Sequence, residues 1–251
     1  ASLIFLEDAA ELQRQIQESK LASLGRLTAS IAHEIRNPLA AITHAGQLLE
    51  EVEGLAEADR RLVRMILDHG QRMNGIIRNI LQLSRRSEPR ADRIELRAWL
   101  THFVTEFCQH KKLSPADIEL HWTSADTLVQ FDSDQLHQVL WNLLGNAVKY
   151  GRDAQGGLRI SLTTLRLEGH GPICLEIADY GPGIAAEHRE RLFEPFFSTA
   201  ADSTGLGLYL TREICAANGA EIAYDGQTET VTLFRIRFTE PIPVPEDADW
   251  E

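Results

Sequence analysis

Cysteine is scarce in this chain. Cys108, Cys174 and Cys215 are the three among 251 residues, 66 and 41 positions apart and without a Cys-x-x-Cys pair. Neither a disulfide framework nor a thiolate zinc site is indicated, and a reducing compartment, the cytoplasm, fits. Long apolar runs are also missing: charge interrupts every stretch before the 18 or so residues a membrane helix needs, so no direct membrane contact is expected. Basic side chains are outnumbered, 25 against 37 acidic, which leaves a net charge of −12. That balance argues against nucleic acid and anionic lipid as partners, and any phosphate must be held locally. The chain opens on Ala, with no signal-peptide pattern, and reads as a piece of a longer protein. What remains, 43% hydrophobic residues, is enough for one large or two smaller cored domains.

The charge divides the chain. Residues 1–89 hold 12 acidic and 11 basic side chains, residues 90–251 hold 25 and 14, and the shift falls at Ser87-Glu88-Pro89-Arg90. Before it, Leu21, Leu24, Thr28, Ile31, Ile35, Leu39, Ile42, Ala45, Leu49 and Val52 recur at helical steps. After a turn near Glu53-Gly54, Leu62, Ile66, His69, Met73, Ile76, Ile80 and Leu83 follow a 4-3 alternation, the spacing of a coiled-coil seam. The pattern predicts an antiparallel hairpin whose leftover apolar stripe is covered by a second copy, a homodimeric four-helix bundle. Leu12 and Ile16 extend the first helix upstream, so that a helix from about residue 8 to 53 would run roughly 70 Å; Ser2–Leu6 reads as the end of a strand.

After residue 90 the texture is mixed. Strands are predicted at 118–122, 128–131, 158–167, 173–179, 220–224 and 230–239, and helices at 95–112, 133–150, 186–192 and 206–217. The short Glu168-Gly169-His170-Gly171-Pro172 link implies a largely antiparallel or mixed sheet with helices on one face, an α+β sandwich. Residues 241–251 read as a solvated acidic tail.

Five runs carry chemistry. His33-Glu34-Ile35-Arg36-Asn37-Pro38-Leu39 puts an imidazole on the outside of a helix beside a carboxylate, a pairing suited to nucleophilic work, with Pro38 bending the axis. Taken alone, a surface histidine beside a tolerated kink is as good a reading. Asn142, Asn146 and Lys149 share one helical face, where two amides and an ammonium suit Mg²⁺ and phosphate; an ordinary polar helix face is the plainer alternative. Asp179-Tyr180-Gly181-Pro182-Gly183 places an acid at a strand end before spaced glycines, which is also how a simple Gly-Pro turn looks. Phe193-Glu194-Pro195-Phe196-Phe197 follows, and Gly205-Leu206-Gly207-Leu208 opens a helix whose first N–H groups suit an anion.

In this order and spacing the runs strongly resemble the sensor histidine kinases of two-component systems over residues 8–240, with a lead-in like the nitrogen-regulatory and pilus-regulatory subgroup. The resemblance implies a multidomain α and α+β protein. Residues 1–20 would be the end of an upstream sensor and its linker, 21–88 a dimerising phosphoacceptor hairpin, 90–240 a Bergerat-type ATP-binding α/β sandwich, and 241–251 a tail. By matched position, His33 would be phosphorylated, Glu34 would polarise it and Asn37 would assist transfer or dephosphorylation. Asn146, helped by Asn142, would hold Mg²⁺, and Lys149 would meet phosphate. Tyr150 would flank the adenine and Asp179 would accept from its amine. Gly181, Gly183, Gly205, Leu206, Gly207 and Leu208 would shape the nucleotide's surroundings, and 185–204 would be a mobile lid. Implied cofactors are ATP and Mg²⁺; implied partners are a second copy and a response-regulator receiver domain. An anchor in the bacterial inner membrane stays open for the full-length protein.

Ser198–Ser203 lacks the lid lysine and the glycine common in this subgroup, which implies weaker nucleotide binding or slower forward transfer. A scaffold with a degenerate nucleotide domain and an ATPase of the same fold are the rival classes; the ATPases carry a glutamate where Asn142 stands and have no phosphoacceptor hairpin. His102, Glu106 and His110 share a helix face but read as solvated positions rather than a metal site. His69 reads as a packed seam residue, and His44 lacks the adjacent acid of His33.

Overall fold

The computed structural model describes residues 34–52, 54–84, 89–90, 92–124, 127–153, 155–166, 171–200, 203–226 and 231–239. His33, the upstream strand and coil, Asp202 of the lid and the tail at 241–251 lie outside the described residues. The chain forms two compact units, one of residues 1–87 with 199–206, the other of 88–198 with 207–251.

In the first unit, helix α1 (residues 34–50) runs unbroken through Pro38, and α2 spans Glu57–Ser84. Between them Gly54 takes a φ of +83°, a conformation glycine adopts at little steric expense. The helices are antiparallel and very close. A Cβ on Gly70 would lie 2.7 Å from the Thr43 hydroxyl, and one on Gly46 would lie 2.9 Å from a Leu67 methyl. Thr43 is already committed, donating from Oγ1 to the Leu39 carbonyl at 2.9 Å. Leu39, Val63, Gly70 and Ile77 are buried, with Leu81 packed against Leu39 and Ile77.

The inner seam of α2 thus runs through Val63, Gly70 and Ile77, one residue out of phase with the seam read from the sequence. Leu62, Ile66 and Met73 stand outside, 58%, 42% and 45% exposed, and His69 is exposed with them rather than packed. Helix α2 has two adjacent apolar stripes, and periodicity alone cannot say which one closes the hairpin. Gly70 sets the interhelical distance. Replacing it with Ala is expected to be nearly neutral, since about 1 kcal/mol of helix propensity offsets the crowding at Thr43. Gly70→Leu should lose about 2 kcal/mol by overpacking, read as a lower helical melting midpoint. Equal midpoints for the two variants would refute the close approach.

In the second unit, β1 (Asp92–Glu95) pairs antiparallel with β3 (Leu128–Phe131). Helix α3 (Leu96–Lys111) follows at once, its N-cap Glu95 accepting from the backbone N–H groups of Arg97 and Ala98 and from the Thr127 hydroxyl. These bonds favour the ionised carboxyl and hold it below the usual carboxylate range. A five-stranded sheet has the order β2-β4-β5-β7-β6, with β2 (Ile118–Trp122) parallel to β4 (Ile160–Arg166). β5 (Ile173–Asp179), β7 (Thr232–Arg237) and β6 (Glu221–Tyr224) continue it antiparallel.

Alternation sorts the two faces of the sheet. Leu162, Ile177 and Phe234 form one inward row and Leu175, Ile236 and Ile222 the next. They share a core with Leu100, Phe103 and Phe107 of α3 and Leu136, Leu140 and Leu143 of α4 (Ser133–Tyr150). The outer face is polar: Arg235 pairs with Glu176 and Asp225, and Arg237 with Glu221. The result is the expected two-layer sandwich.

Three details differ from the sequence reading. Strand β1 was not expected, because Asp92-Arg93-Ile94-Glu95 offers a single apolar residue, Ile94, and owes its strand to pairing with β3. The strand expected at 158–167 begins at Ile160, since Leu158 makes only an isolated bridge with Arg152. The helix expected at 186–192 is a single turn, α5 (Ala186–Arg189), that passes into irregular turns.

Candidate nucleotide site

The C-terminal half of α4 presents the polar face read from the sequence. Asn142 and Asn146 are half-buried and Lys149 is exposed, its Nζ 5.1 Å above the ring of Tyr150. The Asn142 Nδ2 donates to the Gly207 carbonyl at 3.4 Å, which brings the start of α6 (Gly207–Ala217) against this face. Its Oδ1 is left for another partner. The Asn146 amide makes no hydrogen bond to any described residue. Two amide oxygens on one face suit a hard cation that keeps most of its waters, so these residues fit Mg²⁺.

Asp179 closes β5 and is buried, 7% exposed. Desolvation raises its carboxyl from 3.8 to about 6, while hydrogen bonds from the Gly181 N–H and the Thr232 hydroxyl pull the other way. Its register partner on β7 is Thr232, itself buried. The floor is unusually tight. A Cβ on Gly151 would lie 2.5 Å from the Ala147 carbonyl oxygen and 2.7 Å from the Asp179 Cβ; one on Gly181 would lie 2.6 Å from the Gly151 Cα. Two glycines therefore let the end of α4 meet the end of β5, and Asp179 is held where they meet.

Tyr150, 41% exposed, stands one residue before this contact. Gly183 has a φ of +71° and Gly205 one of +66°. The Leu206 side chain is fully buried, and Leu208 packs on the core of the second unit. The structure brings Asn142 together with Gly207, and Tyr150 and Gly151 together with Asp179 and Gly181.

Gly151 and Thr232 were missed by sequence reasoning. Gly151 follows the Asn-Ala-x-Lys-Tyr run directly, which was a usable signal; Thr232 carried none. Glu34 and Asn37 are exposed on α1, one helical turn apart. Within 185–204, Phe193 is anchored in the core edge-on to Phe234, whereas Phe196 is 62% exposed at a φ of +66°. Phe197 lies beneath the Arg191 guanidinium at 4.4 Å. The three phenylalanines are thus not one cluster.

Residues 131–242 match the family model for the histidine kinase-, DNA gyrase B- and HSP90-like ATPase, and residues 23–89 match that for the His Kinase A (phospho-acceptor) domain. The chain belongs to the sensor histidine kinases. The sensor protein kinase PilS of Pseudomonas aeruginosa is 46% identical over 239 residues, covering 95% of this chain and 45% of that protein. The sensor histidine kinase ZraS of Escherichia coli is 30% identical over 236 residues, covering 92% and 49%. The sensory histidine kinase/phosphatase NtrB of Azospirillum brasilense is 29% identical over 224 residues, covering 85% and 55%. The chain spans about half the length of the curated relatives it matches. Among solved structures, full-length ShkA in complex with AMPPNP is similar at a TM-score of 0.64 and 26% identity, covering 87% of this chain and 47% of that one. As a member of that family, this chain has its ATPase-like match largely in the second unit and its phosphoacceptor match on the hairpin. Among the described residues no helix is long and apolar enough to cross a membrane.

Proposed function

We propose that this chain is the ATP-dependent kinase core of a two-component sensor, phosphorylating His33 and passing the phosphoryl group to an aspartate on a response-regulator receiver domain. The observation that carries the reading is a buried acceptor, Asp179, seated beside Gly181 in one sandwich with the Asn142–Gly207 contact. An adenine amine and a polyphosphate tail need that pair of features.

The residues divide the work. Asp179 accepts from the adenine amine and Tyr150 covers the ring. Asn142 and Asn146 hold Mg²⁺, which when bound neutralises charge on the phosphates. Lys149 and the N–H groups opening α6 meet the phosphate tail. Phosphoryl transfer needs in-line placement and charge neutralisation more than covalent chemistry from the protein. A lone pair on the His33 ring forms the N–P bond as the P–O bond to ADP breaks. Glu34 stabilises the ring proton and the charge that develops on the imidazole. Asn37, one turn along α1, orients the second transfer or the hydrolysis of the receiver's phosphoaspartate; the similarity to NtrB, a histidine kinase/phosphatase, supports including that phosphatase function.

The proposed division of the chain is 1–20 end of an upstream sensor and linker coiled coil, 21–88 dimerising phosphotransfer hairpin, 90–240 catalytic domain and 241–251 acidic tail, with this part of the protein working in the cytoplasm. The exposed stripe through Leu62, Ile66 and Met73 supports a homodimer, since apolar surface of that extent on a hairpin is stabilised by a second copy. ThkA, solved in complex with the response regulator TrrA, shares the fold, and a receiver domain is the acceptor proposed here. The test is incubation with γ-labelled ATP and Mg²⁺. Wild type should take up acid-labile, alkali-stable label, and His33→Gln should take up none. Phosphate release without protein label would instead favour an ATPase, and nucleotide binding with neither outcome a scaffold.

A further inference from the structure

Helices α4 and α6 pack along each other, and two asparagines join them. At the nucleotide end the Asn142 Nδ2 reaches the Gly207 carbonyl at 3.4 Å, a long bond. At the far end Asn218, the residue after α6, is fully engaged. Its Oδ1 accepts from the Asp132 N–H at 2.8 Å, just before α4 begins. Its Nδ2 donates to the Gln135 Oε1 at 2.6 Å and to the Ile214 carbonyl at 2.8 Å. Asp132 in turn caps α4 through the Gln135 N–H at 3.0 Å. Eleven residues of α6 and the ten from Asp132 to Asn142 each rise about 15 Å, so the two joins lie at matching ends.

We propose that Asn218 is a positioning residue for the phosphate half of the nucleotide site, acting through the axial register of α6; this rests on the ATP reading above. Apolar side chains of both helices share the core, and their non-directional contact sets how far α6 slides along α4 less sharply than hydrogen bonds do. Hydrogen bonds do fix it. The near join is too long to hold the register alone, whereas the far join carries two bonds across to α4, at 2.8 and 2.6 Å, and a third that ties Asn218 to its own helix at Ile214. Losing them lets Gly207 and the first N–H groups of α6 drift from the Asn142–Lys149 face. The adenine half is built on other elements, Asp179 and Gly181 after β5 and Tyr150 on α4, and does not depend on α6.

The consequence is a split between ligands. In Asn218→Ala the affinity for Mg-ATP should fall about fivefold, what one neutral hydrogen bond is worth, while adenosine affinity stays within about twofold. Both are read by displacement of a fluorescent nucleotide from the full chain. Gln135→Ala, which removes one of the two bonds that cross to α4, should show the same split at smaller size, and it decides the matter if Asn218→Ala does not fold. Equal losses for both ligands, or no loss for either, would overturn the proposal. A wild-type chain that binds no ATP refutes the proposed function instead, a separate result read from the same titration.

Discussion

Asp179→Asn should abolish useful ATP binding and at the same time make the unliganded second unit more stable. At neutral pH the carboxylate is ionised in a site that excludes water, and burial raises its pKa to about 6 from 3.8. The folded state therefore takes up this proton more readily than the unfolded chain does. Stability falls as pH rises from about 4 to about 6 and is flat above that, where the buried charge opposes folding by up to about 3 kcal/mol. A neutral amide removes that opposition and still accepts from the Gly181 N–H. The melting midpoint at pH 7 should rise by about 4 °C. ATP affinity should drop about 100-fold, because the amide cannot offer the adenine amine a charged acceptor of the same strength. Wild-type affinity should also weaken as pH is lowered through about 6, and the residual affinity of the variant should not follow. Unchanged affinity in Asp179→Asn would remove Asp179 from the site; a lower midpoint would mean the carboxylate is better paired than its surroundings indicate.

Gly181→Ala should be the most damaging single methyl group in the chain. The added carbon would lie 2.6 Å from the Gly151 Cα and 2.8 Å from the Tyr150 carbonyl oxygen, both main-chain atoms that no rotamer change can move aside. Either α4 retreats from β5 or the turn after Asp179 deforms. We expect a loss of about 3 kcal/mol in stability and the loss of ATP binding, since each relaxation displaces Asp179 or Tyr150. Gly151→Ala should behave alike, its Cβ meeting the Ala147 carbonyl at 2.5 Å and Asp179 at 2.7 Å. Gly145→Ala, in the same helix with nothing within 4 Å of the added carbon, is the control. It should gain about 1 kcal/mol from helix propensity. Melting of the three variants side by side, with nucleotide titration, checks the contact; a Gly181→Ala chain as stable as the Gly145→Ala chain would refute it.

The pH and stability behaviour of Asp179 illustrates why the site was only partly legible beforehand. That an acid stood at a strand end before spaced glycines could be read directly; that it was buried, and so titrated high, could not, because burial depends on Gly151 and on Thr232 from a strand more than 50 residues away. The same limit explains the hairpin. Both apolar stripes of α2 obey the helical period, and the choice between them was made by Gly46 and Gly70, which admit close approach on one side only. Strand β1 had no pattern of its own to read, since its partner β3 supplies the hydrogen bonds that define it.

What the amino-acid order determined alone was everything that depends on local spacing. Helical and strand periods located the hairpin, the helices α3 and α4 and the five strands of the sheet, and the ordered runs around His33, Asn146, Asp179 and Gly207 identified the histidine kinase family. Tertiary structure decided what depends on residues far apart meeting. It set the phase of the α2 seam, separated Phe193 from Phe196, seated Asp179 on Gly151 and joined α6 to α4 through Asn218. Side-chain spacing is a property of the backbone period, whereas close approach, burial and hydrogen-bond satisfaction are properties of pairs that only the folded chain brings together.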